Sequence, residues 1–353
     1  MKFKFIYVKN DVFRQLEKQE PIDVDLSCAE TGTEGLNFLN LLRAQKRDIT
    51  EKRFDHISSF NFNRDVFMKN NWTELSKIAR GLFLNTNTGD IVARGFEKFF
   101  NYSEGMFNTD SWLKENLKFP VTAYKKYNGF LGILSFDKET KSFLFCSKSC
   151  VSGMYTNFFK DVFYELKDKD DTEYLTKLAD HLVKNNTCLV FEVIDPKNDP
   201  HIVYYDHNDI VLLAEIKLTK NFEQTKYEDL CKLGEEFGFK TKEKIATFLD
   251  WDTLKSFLAE AEDYDLFKNE EGWVLEDANG YNFKLKCGWY RFWKSMRHYK
   301  QKLQAGHQVS TSGLTTPRMN KVFAFMKNKS RDWLEERSIV DVRKEYEKEN
   351  IND

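Results

Sequence analysis

Proline is scarce in this 353-residue chain, at 5, and glycine numbers only 16. So little of either excludes long flexible linkers. No apolar run reaches the roughly 18 residues that a membrane span requires, so no membrane partner is expected. The opening stretch, MKFKFIYVKNDVF, is broken by charge every few residues and has no leader-like apolar core. Cys28, Cys146, Cys150, Cys188, Cys231 and Cys287 are scattered, with no CxxC pair. That spacing argues against a structural zinc site and predicts free thiols in a reducing, cytoplasmic setting. No glycine loop ending in GK[ST] occurs, so no P-loop kinase module is expected. An excess of one charge is also missing. Lys and Arg total 54 and Asp and Glu 56, for a net charge of −2. This excludes a histone-like protein and an acidic tail, but leaves room for a basic cleft within a neutral total.

What the chain does have is aromatic residues: 32 Phe, 15 Tyr and 7 Trp. Such a composition buries a core. The length allows roughly two domains. The first 70 residues read as mixed, with one helix from about Thr33 to Lys46 carrying Leu36, Leu39 and Leu42. Strand patterns follow. Leu82–Leu84 and Ile91–Ala93 flank a turn-rich stretch. Val121–Lys125, Gly129–Phe136, Phe143–Ser147, Leu189–Ile194, Ile202–Tyr205 and Ile210–Glu215 read as further strands. Helices are predicted over Thr172–Lys184, Tyr227–Phe237 and Asp252–Ala261. Trp273–Glu276 and Tyr281–Lys286 flank an Asn-Gly turn, a strong hairpin signal. Beyond Trp289 the pattern turns helical. Phe292, Met296, Tyr299 and Leu303 form a stripe, and further helices are predicted over Arg318–Lys327 and Arg331–Glu349. The expected fold class is α+β, with a large antiparallel-sheet domain (1–292) and a small all-helical C-terminal domain (293–353).

The sharpest chemical feature is Lys126-Tyr127-Asn128-Gly129, set between two predicted strands. Alone it is weak, because an exposed strand-end lysine is the ordinary alternative. Other features accumulate downstream. Glu192 ends an apolar strand, and Glu271-Gly272-Trp273-Val274 opens the late hairpin. Lys284 and Lys286 lie on its second strand, where alternation puts both on one face. Two ammonium groups side by side repel, and a polyanion such as a triphosphate would relieve them; an exposed sheet face is the alternative.

This ordered set resembles the covalent nucleotidyltransferases. Among them it is most similar to the ATP-dependent RNA ligases of the phage tRNA-repair type and to the ligase domain of fungal tRNA ligases. Arg80–Phe83 and Ala93–Asn101 resemble the segment upstream of the nucleophile. Phe145–Lys148, Phe191-Glu192, His201–Tyr205 and Ile210–Ala214 resemble the strands that follow it. The likeness runs from about Arg80 to Arg297 and implies a nucleotidyltransferase (adenylyltransferase) fold. It also implies roles. Lys126 would attack the α-phosphate of ATP to form a lysine–AMP adduct, its proton lost with help from neighbouring cations and a bound metal. Lys284 and Lys286 would hold the α-phosphate. Arg80, Lys98 and Lys148 would contact nucleotide or RNA phosphates, with Arg94 a weaker candidate. Phe100 would pack beside the nucleotide, Gly129 would allow close backbone approach, and Glu192 would accept from the ribose hydroxyls. Glu271 would meet the lysine or a hydrated Mg²⁺, with Mn²⁺ as a substitute; the neighbouring Glu270 is an exposed loop carboxylate or a second candidate. Arg291 and Lys294 would contact a phosphate at an RNA end. The implied substrates are RNA 5′-phosphate and 3′-OH ends, tRNA halves among them, with end-healing kinase and phosphoesterase activities on another protein. A DNA ligase, a GTP-using capping enzyme and a non-catalytic RNA end-binding protein are the alternatives. The helical tail, where the first two usually carry a β-rich domain, favours an RNA ligase.

Overall fold

The computed structural model describes residues 34–104 and 108–349; Cys28 lies outside them. Helix α1 (Glu34–Ala44) precedes a hairpin of β1 (Ile49–Phe54) and β2 (Ile57–Phe62), absent from the sequence expectation. Of the expected leucines, Leu39 and Leu42 are buried and Leu36 is exposed. Short helices α2 (Arg64–Lys69) and α3 (Glu74–Ile78) lead to β3 (Leu82–Asn85) and β4 (Ile91–Arg94). These four strands form one antiparallel sheet in chain order.

After α4 (Asp110–Asn116) come β5 (Val121–Lys125), β6 (Phe130–Asp137) and β7 (Ser142–Cys146), then helices α5 (Met154–Leu166) and α6 (Thr172–Asn185). The next elements are β8 (Thr187–Ile194), β9 (Asp209–Lys217), α7 (Tyr227–Glu236), β10 (Lys240–Thr241), β11 (Lys244–Phe248) and α8 (Trp251–Glu260). The late hairpin is β12 (Gly272–Glu276) with β13 (Asn282–Lys286). Four helices close the chain: α9 (Gly288–Gln304), α10 (Pro317–Lys327), α11 (Arg331–Glu335) and α12 (Ile339–Glu349). The last predicted helix is broken between α11 and α12, where Ser338 and Asp341 exchange hydrogen bonds as a new N-terminal cap. Among the described residues no helix is long and apolar enough to cross a membrane.

Two sheets frame the centre of the molecule. One has the order β10-β9-β8-β6-β7 and the other β11-β5-β12-β13. All their pairings are antiparallel except β10 with β9. Residues 126–129 are therefore the crossing from one sheet (β5) to the other (β6). In β13, Phe283 and Leu285 point into the core while Asn282, Lys284 and Lys286 alternate to the other face. That core also holds Leu275 of β12, Trp289, Trp293 and Met296 of α9, Val322 and Met326 of α10, and Val342 of α12. The C-terminal helices thus share one hydrophobic cluster with the second sheet, across position 292/293. Lys300, outside the apolar stripe of α9 in the sequence, is buried as well.

One predicted strand is absent. Residues 202–205 are irregular. Their amides are taken by side chains: Ile202 and Val203 donate to Asn128 Oδ1, each at 3.1 Å, and Tyr204 donates to Asn269 Oδ1 at 2.8 Å. Once side chains satisfy the backbone, the segment has no use for a ladder.

Candidate active site

The lysine just past the end of β5 is still fixed to its sheet: Lys126 N donates to Gly272 O at 2.9 Å. Gly272 has φ 135°, a conformation that side chains rarely adopt. At the far end of the crossing, Gly129 N donates to Glu192 Oε1 at 2.8 Å, and any Cβ at Gly129 would run into the Val193 carbonyl. The crossing therefore sits hard against β8 and β12.

Lys126 Nζ lies 3.1 Å from Glu271 Oε2. The other oxygen of Glu271 is 3.3 Å from Lys286 Nζ. Asn128 Nδ2 also donates to Glu271 Oε2, at 2.8 Å, and touches Tyr290 Oη at 3.5 Å. Glu271 is only 3% exposed, so three donors must offset its desolvation. Burial opposes its charge, but Lys126 and Lys286 outweigh burial and hold its carboxyl below the ordinary range. Glu192 goes the other way: burial, with the charge of Glu271 added, pushes it up against the pull of Lys126.

The expectation that cations beside Lys126 would lower its pKa is corrected. Burial does favour the neutral amine, yet Glu271 and Glu192 outweigh it and raise the lysine above its usual value. The lowered group is Lys284 instead. Burial, followed by repulsion from Arg80, Lys98, Lys126 and Lys286, brings it to about 6. Lys148 is pushed down by burial, Arg80 and Lys98, and Lys286 by burial above all. Positive charge is thus crowded into one place with too little protein anion to balance it.

The place is a cavity of about 680 Å³. Lys126, Glu192, Glu271, Lys284, Lys286, Arg80, Lys98, Lys148 and Gly129 all line it. The 99–102 segment runs beside β13, with Lys284 N donating to Phe100 O at 2.9 Å and Tyr102 N to Lys284 O at 2.7 Å. That pairing turns alternate side chains to opposite sides. Phe99 faces the cavity, 4.3 Å under Lys284 Nζ, and Phe100 does not. Phe100 instead packs edge-on against Trp72, with Lys98 Nζ 3.9 Å from its ring. The expectation for Phe100 therefore passes to Phe99.

Arg291 and Lys294 also lie outside the lining. Arg291 is paired with Glu262, and Lys294 is exposed, its charge felt at Lys286. Arg94 is no nucleotide contact either: its buried guanidinium is held by Glu97 and by the carbonyls of Lys220 and Asn221. Glu270 pairs with Lys125 at 2.7 Å. Cys150 is half-buried and lines the cavity. Sequence reasoning gave no role to Asn128, Phe99, Glu104 or Lys242. The Asn in Lys-Tyr-Asn-Gly was a visible signal, but its partner is 143 positions away.

A divalent cation finds no ready cage in these side chains. Among the described residues no group of three or more His, Cys, Asp or Glu is placed to hold a metal. Both oxygens of Glu271 are already engaged.

A lysine at the crossing between two sheets, met by the buried Glu271, the half-buried Glu192 and a bank of cations, places the chain with the antiparallel-sheet nucleotidyltransferase fold of the ATP-dependent polynucleotide ligases. The solved structures agree on that fold. An archaeal ATP-dependent RNA ligase superposes with a TM-score of 0.52 at 14% identity, over 88% of this chain and 75% of that one. A putative ATP-dependent DNA ligase from Aquifex aeolicus gives 0.51 at 14% identity, over 89% and 80%. Residues 78–290 match the RNA ligase family, and the chain belongs to it. A tRNA ligase of Candida albicans is 26% identical over 258 residues, 63% of this chain. The chain spans about 30% of the length of that relative.

Proposed function

We propose that the protein is an ATP-dependent RNA ligase that works through a lysine–AMP adduct on Lys126. The observation that supports this most is the cavity where Lys126, the buried Glu271, the half-buried Glu192 and seven further Lys and Arg side chains converge. Its volume of about 680 Å³ lies within the ~300–1,000 Å³ of ordinary ligand sites.

In the first step the neutral amine of Lys126 attacks the α-phosphorus of ATP. A P–N bond forms, the P–O bond to pyrophosphate breaks, and the amine loses its proton. Glu271, already 3.1 Å from Nζ, orients the amine and is the nearest acceptor for that proton. Lys284 and Lys286 neutralise the α-phosphate and the departing pyrophosphate, and Arg80, Lys98 and Lys148 hold its outer phosphates. Phe99 walls the nucleotide, and Glu192 holds the 129 backbone and a ribose hydroxyl. In the second step an RNA 5′-phosphate oxygen attacks the same phosphorus, the P–N bond breaks and the departing lysine amine takes back a proton. In the third, a 3′-OH attacks the activated 5′-phosphorus, the P–O bond to AMP breaks, AMP leaves and the hydroxyl proton passes to water. All three are displacements in which positioning and charge do the work. A Mg²⁺ or Mn²⁺ ion would arrive on the triphosphate, with mainly water and phosphate ligands. The RNA ends are those of a broken strand, with tRNA halves as the first to try, healed by another protein.

The test is covalent labelling. With Mg²⁺ and α-labelled ATP the denatured protein should carry label, and Lys126→Arg should carry none, because guanidinium stays protonated. Comparable label in that variant refutes the nucleophile. Label from GTP alone would point to capping. Sealing of nicked DNA with no sealing of RNA would point to a DNA ligase.

A further inference from the structure

Helix α12 is linked to the chemistry through a buried arginine. Arg343 of α12 is 5% exposed, and its Nη1 donates to the carbonyl oxygen of Ile202 at 2.7 Å. Its guanidinium lies over two rings of α9, 4.6 Å from Trp289 and 5.7 Å from Trp293. The next residue, Lys344, sits 3.7 Å over the ring of Tyr204. So α12 grips the irregular 202–205 segment, which has no strand ladder to hold it.

From there the hydrogen bonds run inward without a gap. The amides of Ile202 and Val203 both donate to Asn128 Oδ1 at 3.1 Å. That pair of donors fixes which way the amide of Asn128 faces, so its NH₂ must point to Glu271, 2.8 Å away. Glu271 in turn holds Lys126 at 3.1 Å. Asn128 N donates to Tyr205 Oη at 3.0 Å, tying the same segment to the crossing a second time.

We infer that Arg343 is a positioning residue for Lys126, acting through the Ile202 carbonyl, Asn128 and Glu271. The inference rests on Lys126 being the nucleophile. Without the guanidinium the Ile202 carbonyl is buried and unpaired, and the segment shifts to find water. Asn128 then loses its two-amide clamp and its amide is free to turn. Glu271 loses a donor, and Lys126 loses the fixed carboxylate that aims it. A misplacement of this size at a reacting group costs on the order of 10- to 100-fold in rate. ATP binding is spared, because no cation of the cavity is touched.

The experiment is single-turnover adduct formation with α-labelled ATP in the full chain, comparing wild type, Arg343→Met and Arg343→Lys. Methionine keeps the packing on the two indoles but donates nothing. The expected result is a roughly tenfold slower maximal rate for Arg343→Met, a KM for ATP within about twofold of wild type, and most of the rate restored by Arg343→Lys. A double-mutant cycle with Asn128→Ala adds the decisive readout. If Arg343 acts through Asn128, substituting it in the Asn128→Ala background costs little further rate. Should Arg343→Met not fold, the cycle is run with Arg343→Leu, which also removes the donor. Wild-type rate in a folded Arg343→Met, equal losses in Met and Lys, or full additivity with Asn128→Ala each overturns the inference. No label on wild type would instead refute the nucleophile itself.

Discussion

Lys284 should take up a proton when a triphosphate enters the cavity. In the free protein burial and four neighbouring cations leave its pKa at about 6, against ~10.4 for an ordinary lysine. At pH 8 such a group is only about 1% protonated. A polyanion placed among Arg80, Lys98, Lys126 and Lys286 cancels the repulsion and supplies an acceptor, so the bound value returns towards the ordinary one. Binding between those two values is then linked to uptake of one proton. The apparent affinity for a triphosphate should fall about tenfold per pH unit above pH 7. The assay is calorimetric titration at pH 8, where the triphosphate is fully ionised, with an α,β-methylene analogue that blocks the covalent step. Repeating it in buffers of different ionisation enthalpy gives the proton count. Wild type should take up close to one proton or more, since Lys148 and Lys286 are pushed down as well. Lys284→Met should take up about one fewer. Tight binding by wild type with no proton uptake, or an unchanged count in Lys284→Met, would refute the electrostatic argument.

The same crowding carries a stability consequence. The folded pKa of Lys284 lies below its unfolded value, so the unfolded chain binds more protons between about pH 6 and 10 and stability rises with pH across that window. Lys284→Met should therefore melt at a higher temperature than wild type at pH 7, with the gap closing by pH 10; a lower melting temperature at pH 7 counts against the repulsion. Phe99→Ala should raise the KM for ATP several-fold in the labelling assay, since its ring forms the floor under Lys284. Phe100→Ala should leave KM nearly unchanged but cost about 2 kcal/mol of stability in urea unfolding, because its ring packs on Trp72.

The elements with a clean period were legible. The apolar run Leu189–Ile194 and the Asn-Gly turn before β13 gave strands that the structure reproduces within a few residues. Helix α5 was missed, because its Phe- and Tyr-rich sequence has strand-like propensity and becomes a helix by packing Phe159 and Phe163 into a core. The 202–205 segment was misread for the opposite reason: its apolar run suits a strand, but Asn128 and Asn269 took its amides. Arg291 and Lys294 looked available for a phosphate because sequence does not show Glu262 waiting beside Arg291.

By itself the sequence determined which residues alternate on β13, which glycines permit a close crossing, and the order of lysines and carboxylates along the chain. These follow from local geometry, where a period of two or a missing Cβ acts within a few residues. Only the tertiary structure decided that Phe99 rather than Phe100 faces the cavity, that Lys284 is pushed down while Lys126 is raised, and that α12 is tied to the crossing through the 202–205 segment. Each of those depends on charges and hydrogen bonds between residues up to 185 positions apart, and their strength is set by distance and burial that no spacing encodes.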